Sequence, residues 1–293
     1  MQVHWIHCKP IVLLVSCRAW LLDFSIILHD SPLKKLITEI SGNSSALITL
    51  TEANLRTSVA STRLGWFWWI INPLVMMGIY YFFVGVILGR GGENYHLFVL
   101  TGLIAWQCFS ISLNGATKVI IGNTQLIKQV ALPIPVLLLV PVLVQLIFAA
   151  IGFAIVLLWN VHSVGMHTLL IIPLMLLTGM VSYGLGLFVS ILNVYLGDTD
   201  QILNYVLRMG FFLTPILYPA ESVVQNEKIP ELVKVVYQMN PMAVIVPAFR
   251  SVLLDGEFFP AANILILTVC TVVLIELGLI CVRTQSSQIV RML

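Results

Sequence analysis

Two groups of side chains in this sequence have the type and spacing to handle an anionic or sugar-bearing ligand. Glu52, Arg56 and Arg63 recur at intervals of four and seven, in a segment whose other helical face carries Ile48, Leu55 and Val59. On a helix this spacing gives an amphipathic rod with guanidinium groups along its polar side. Guanidinium forks bind phosphate oxygens in pairs, so Arg56 and Arg63 suit a lipid headgroup or a pyrophosphate; the same pattern also serves as a plain membrane anchor. Directly after it come Trp66, Trp68 and Trp69, and further on Tyr80 and Tyr81. Such rings either form an aromatic belt at headgroup depth or stack on the C–H faces of sugars, and the rings alone do not choose between the two.

Other chemistries find less support. Glu221, Glu227 and Glu231 are the only concentrated acids, and a membrane-embedded transferase acting on polyprenyl-linked sugars would have to use them. Neither a nucleophile elbow nor a zinc motif is present. His4, His7 and Cys8 make an incomplete metal set, and the five cysteines lack ligand spacing. Glu276 lies in an apolar run, two turns before Arg283, and is expected to snorkel toward the interface there. No GxxxxGK(S/T) phosphate loop occurs, so ATP chemistry has to come from a partner. A net charge of +2 without a basic stripe argues against nucleic acid.

The elements that must carry these groups follow from composition. With 59% hydrophobic and 10% charged residues, the chain has too little polar surface to coat a water-soluble globule. Strand alternation is absent, so the expected class is an all-α integral membrane protein with about six transmembrane helices. Length and breakers place the spans at about 65–88, 97–113, 136–159, 169–193, 202–217 and 262–282. The fifth is short and runs into Pro215, Tyr218 and Pro219. Two apolar pieces then follow, too short to cross a bilayer. An amphipathic interface helix at 47–63 precedes the spans, residues 1–46 form an extension without assigned role, and 284–293 form a tail. Within the extension, Arg18 and Asp23 interrupt an apolar run, and a charge at mid-span costs roughly 2.5 to 3.5 kcal/mol on insertion scales. Lysine and arginine concentrate before the first span, between the second and third, and in the tail, which puts both termini in the cytoplasm. The opposite side holds Arg90 in a short loop, and Lys228, Lys234 and Arg250 among five acids.

The block from Arg63 through Trp66, Trp68 and Trp69 to Pro73 resembles the start of the first span in type-2 ABC exporter permeases. These are the membrane subunits that export O-antigen, capsule or teichoic-acid polymers on a polyprenyl carrier. Further blocks follow in the family's order. They are Leu100-Thr101-Gly102-Leu103-Ile104-Ala105-Trp106, then Asn123-x-x-Leu126-Ile127-Lys128 with Pro133, then Leu192-Asn193-Val194 with Asp198. Thr214-Pro215-Ile216-Leu217-Tyr218-Pro219, Asn240-Pro241 and Phe249-Arg250 complete the series.

The resemblance implies a bacterial inner-membrane, multi-pass permease that is not itself an enzyme. It would pair with a copy of itself and with two ATPase subunits, which carry the ATP and Mg while this chain binds no cofactor. Asn123, Leu126, Ile127, Lys128 and Pro133 would form the ATPase-coupling loop, with Leu126, Ile127 and Val130 as its apolar face. The short helices after the fifth span would form a re-entrant or interfacial hairpin guarding the exit. Arg56 and Arg63 would meet the lipid pyrophosphate, and Trp66, Trp68, Trp69, Tyr80 and Tyr81 the sugars. Gly197 departs from the basic residue usual before the aspartate of the fourth loop, and residues 1–46 have no counterpart. Export of drugs or small lipids by the same architecture is the nearest alternative.

Overall fold

The computed structural model describes residues 31–60, 67–89, 94–129, 132–259 and 261–292, together with Gly65 and Gly92. Arg63, Trp66 and Val130 lie outside the described residues. Every described regular element is helical. Five helical segments are long and apolar enough to cross a membrane, and a sixth candidate is a pair of helices bent by 71°.

Two helices precede the first candidate span: α1, Pro32–Gly42, and α2, Ser44–Ala60. α1 starts at Ser31, whose side chain accepts from the Lys34 amide, with proline at the first helical position where no amide is needed. α3, Phe67–Tyr80, runs on as a π-helical segment, Tyr81–Ile87. α4 is Tyr95–Gly122, and short α5, Thr124–Gln129, follows. Pro133 then caps a one-turn α6, Ile134–Leu137, which leads into α7, Leu139–Trp159. α8 is Ile171–Tyr195 and α9 is Thr199–Leu213. Beyond the prolines lie α10, Glu221–Val224, α11, Glu231–Met239, and α12, Pro241–Arg250, which ends in a π-helical turn, Ser251–Asp255. The chain closes with α13, Ala261–Met292.

Contacts between helix ends fix the topology. At one end of the bundle the Tyr95 hydroxyl donates to the Leu217 carbonyl at 2.8 Å, and Asn160 and Ser163 donate to the Leu253 carbonyl at 3.1 and 2.9 Å. At the other end Lys118 pairs with Asp200 at 3.2 Å, Asn193 donates to the Thr117 carbonyl at 2.9 Å, and Arg283 pairs with Glu39 at 3.2 Å. α9 therefore starts at the second end and finishes at the first, although its 15 residues make only about 22 Å of helix. α11 and α12 begin and end at the first end, and α13 returns. The bent pair is thus a hairpin that re-enters the bundle, and α9 is the crossing segment.

α4 and α8 form the centre, flanked by α7, α12 and α13. Around the first end the core holds Leu100, Phe153, Leu174, Met242, Ile245 and Phe249, with Phe153 and Phe249 stacked at 4.5 Å. Around the second it holds Ile120, Leu138, Leu187 and Leu279, together with Leu36 of α1. The expected role-free extension thus contains a built piece: α1 is packed into this cluster and tied to α13 by the Glu39–Arg283 pair. α2 also packs inward, through Leu47, Leu50 and Thr51 against the start of α7, while Ile48 points out. By contrast, α3 with its π-helical extension and α9 lie at the margin, with Phe82, Phe83, Tyr205 and Phe212 exposed.

Candidate functional site

The most constructed part of the molecule is the break after α9. The helix stops before Pro215, and Pro219 has no amide to offer the Pro215 carbonyl, so the carbonyls of the break lack helical partners at membrane depth, where such groups must be satisfied by protein. Arg250 supplies the donors. Its Nη1 donates to the Pro215 carbonyl at 2.5 Å, its Nη2 to the Ile216 carbonyl at 2.8 Å, and its Nε to the Phe98 carbonyl at 3.2 Å. The Phe98 ring covers the guanidinium at 3.3 Å from its centroid. Gly102 makes room: a Cβ there would stand 2.9 Å from Nη2 and 3.3 Å from the Ile216 Cα.

Further ties surround this clamp. Asn240 caps α12 by accepting from the Met242 amide at 3.0 Å, and its amide donates to Thr214 Oγ1 at 2.8 Å. Tyr95 holds the Leu217 carbonyl, and the Tyr218 hydroxyl donates to the Phe212 carbonyl at 2.9 Å. Burial pushes the Tyr218 phenol above its ordinary range. Pro219 is exposed and marks where the chain leaves the bundle. The expected exit residues Pro215, Tyr218 and Pro219 are therefore one connected stretch.

The sequence groups Arg250 with Lys228 and Lys234 as a charge of the outer side and gives it no partner, whereas the structure buries it. It is 5% exposed, because α12 is a packed hairpin arm and not a loop. The available signal was its position, closing a run that Asn240-Pro241 opens and whose other residues are almost all apolar. An arginine there needs partners inside the protein.

The aromatic residues do not share one surface. Trp69 turns inward and stacks flat on Phe148, with centroids 3.6 Å apart, whereas its neighbour Trp68 is half-exposed. Tyr80 stacks on Phe211 of α9 at 5.6 Å. Tyr81 is exposed and meets His96 edge-on. Arg56 is also exposed, and its guanidinium is engaged by Glu52 one turn earlier.

At the second end, the coupling-loop residues divide by role. Asn123 caps α4, donating to the Val119 carbonyl at 2.8 Å, and Pro133 accepts the first amides of α6. Ile127 is buried in the same cluster as Ile120 and Leu279, with Leu126 packed against it. The apolar face expected to meet a partner is therefore turned into the bundle, because a six-residue helix on a tight link to α4 gains more by burying it there. Gln125, Lys128 and Gln129 are what α5 presents outward. Past Gly197, in the first turn of α9, Asp200 makes an ion pair with Lys118.

Two acidic expectations also resolve. Arg283 pairs with Glu39, and Glu276 Oε2 is shielded with no hydrogen-bond partner among the described residues. Glu231 pairs with Lys234 at 2.9 Å, and no cluster of three His, Cys, Asp or Glu able to hold a metal occurs among the described residues.

Residues 45–254 match the family model described as ABC-2 type transporter. The chain is 28% identical over 214 residues to the O-antigen export system permease protein RfbA of Klebsiella pneumoniae, covering 72% of this chain and 80% of that protein. It is 25% identical over 248 residues to the O-antigen export system permease protein RfbA of Myxococcus xanthus, covering 82% and 92%. It is 25% identical over 243 residues to the polysialic acid transport protein KpsM of Escherichia coli, covering 79% and 90%. The matched span runs from the start of α2 through the clamp to the π-helical turn after α12, and the chain is a multi-pass membrane protein of the ABC-2 type transporter family.

Proposed function

We propose that this chain is the permease subunit of an exporter that moves a polyprenyl-pyrophosphate-linked polysaccharide outward across a bacterial inner membrane. It acts as a homodimer served by two copies of a separate ATPase, which binds ATP and Mg. The observation that carries this reading is the length of the likeness. A relative named for O-antigen export aligns over 82% of this chain and 92% of its own length, a span that includes both the exit region and the proposed coupling loop.

The end bearing α1, α2, α5 and the last turns of α13 is cytoplasmic, since Lys34, Lys35, Arg56, Lys118, Lys128, Arg283 and Arg291 belong to segments at that end. With Arg250 buried, the other side keeps Lys228 and Lys234 among the described basic residues outside the crossing segment, while Arg208 lies within α9. ATP binding in the partner pushes on Gln125, Lys128 and Gln129. Ile127 passes the displacement to the core, because it shares a cluster with α4, α8 and α13. The exposed apolar faces of α3 and α9 meet the second copy and part to admit the sugar chain. Arg56 and Arg63 receive the lipid pyrophosphate, and Trp66, Trp68 and Tyr81 contact the sugars, a reading supported for Trp68 and Tyr81 by their exposure, while Trp69 and Tyr80 pack inward behind them.

The test is a chromosomal deletion of the gene. Its loss should leave lipid-linked polymer inside the cell and remove the corresponding polysaccharide from the surface, with restoration by the intact chain. Unchanged surface polysaccharide in the deletion strain would refute the proposal.

A further inference from the structure

The geometry points to Arg250 as the positioning residue of the exit, joining the end of α9, the α11–α12 hairpin and the first turns of α4 into one body that moves as a unit during transport. The Arg250 carbonyl partners come from segments 152, 35 and 34 residues away in sequence. No acidic side chain pairs with Arg250 among the described residues, so these backbone dipoles and the Phe98 ring carry its charge. Sliding any one segment would strand a buried cation or a broken-helix carbonyl, and both are costly away from water. The Asn240–Thr214 and Tyr95–Leu217 bonds tie the same three segments at two other points. The moving boundary must then lie elsewhere, and α3 with its π-helical extension is the least buried spanning segment. A lysine cannot replace this group, since one ammonium does not reproduce a planar fork that reaches three carbonyls.

The inference rests on the export reading only for its transport readout. The mechanical part is measured by spin-label distances between Phe212→Cys at the end of α9 and Met239→Cys at the end of α11, both exposed positions. The sample is the full chain with its ATPase in lipid nanodiscs, on a background with the native cysteines replaced, and labelled copies are diluted with excess unlabelled ones so that only distances within one copy are read, since Phe212 faces the second copy in the proposed dimer. The expected result is one narrow distance, the same with and without ATP. Arg250→Lys should broaden it and lower polysaccharide export about tenfold, the scale of losing a charge-assisted hydrogen bond, while ATP hydrolysis continues.

Should Arg250→Lys fail to fold, Gly102→Ala keeps the cation and presses a methyl group against it, and should broaden the distance in the same way. A distance that changes with nucleotide in the parent protein, or a substituted protein as narrow as the parent, overturns the proposal. If the distances behave as stated but the parent complex exports no polysaccharide, the clamp stands and the export reading fails.

Discussion

Arg250 illustrates what a single residue can do when its partners are backbone carbonyls. Carbonyls carry no signature in sequence, so Phe98, Pro215 and Ile216 gave no sign that they shared a ligand. Pro215, Ile216 and Arg250 lie in runs picked out for resemblance and Phe98 stands two residues before another, but their meeting point required the fold. Tyr95→Phe removes only the hydroxyl bond to Leu217, and should lower thermal stability in detergent by about 1 kcal/mol, with the chain still folded. Close helix packing provides a second test at this scale. A Cβ on Gly278 would lie 2.8 Å from Leu187 Cβ, deep in the contact between α8 and α13. Gly278→Val should therefore cost about 1 to 3 kcal/mol by overpacking, read as a lower melting temperature, whereas Gly197→Ala, in open space, should leave melting unchanged.

At the scale of elements, apolar length alone located the spans, because a helix must cover the hydrocarbon whatever it packs against. What length could not supply was which face of a helix looks inward. On α2 the pattern suggested Ile48 and Leu55 together, yet the stripe against α7 runs through Leu47, Leu50 and Thr51, and Ile48 faces out. On α5 the apolar residues are equally visible in sequence, and only the fold turns Ile127 into the core. This separates two variants. Lys128→Glu should weaken co-purification of the ATPase while the permease keeps its melting temperature. Ile127→Asp should destabilise the permease itself, since it buries an unpaired carboxylate. α1 falls outside the family match, and so resemblance gave it no role, but its ion pair is directly testable. Glu39→Arg should reduce the yield of folded protein, and combining it with Arg283→Glu should restore it.

For the whole molecule, the outer faces of α3 and α9 are where the structure leaves most to be covered. Their exposed residues include Phe82, Phe83, Tyr205, Val206 and Phe212. In the proposed dimer they face the second copy, so Val206→Cys in native membranes should form cross-links between copies, and Val273→Cys, exposed on α13, which packs against α8, α12 and α1, should not. Equal cross-linking at both positions would remove the assigned interface. The central claim is that this helical bundle has no motor of its own and exports polysaccharide only when a separate ATPase drives it. The most direct measurement places the purified permease in liposomes loaded with lipid-linked polysaccharide, and follows appearance of the polymer on the far side of the bilayer. The account predicts transfer only when the ATPase and hydrolysable ATP are both present; transfer by the permease alone would contradict it.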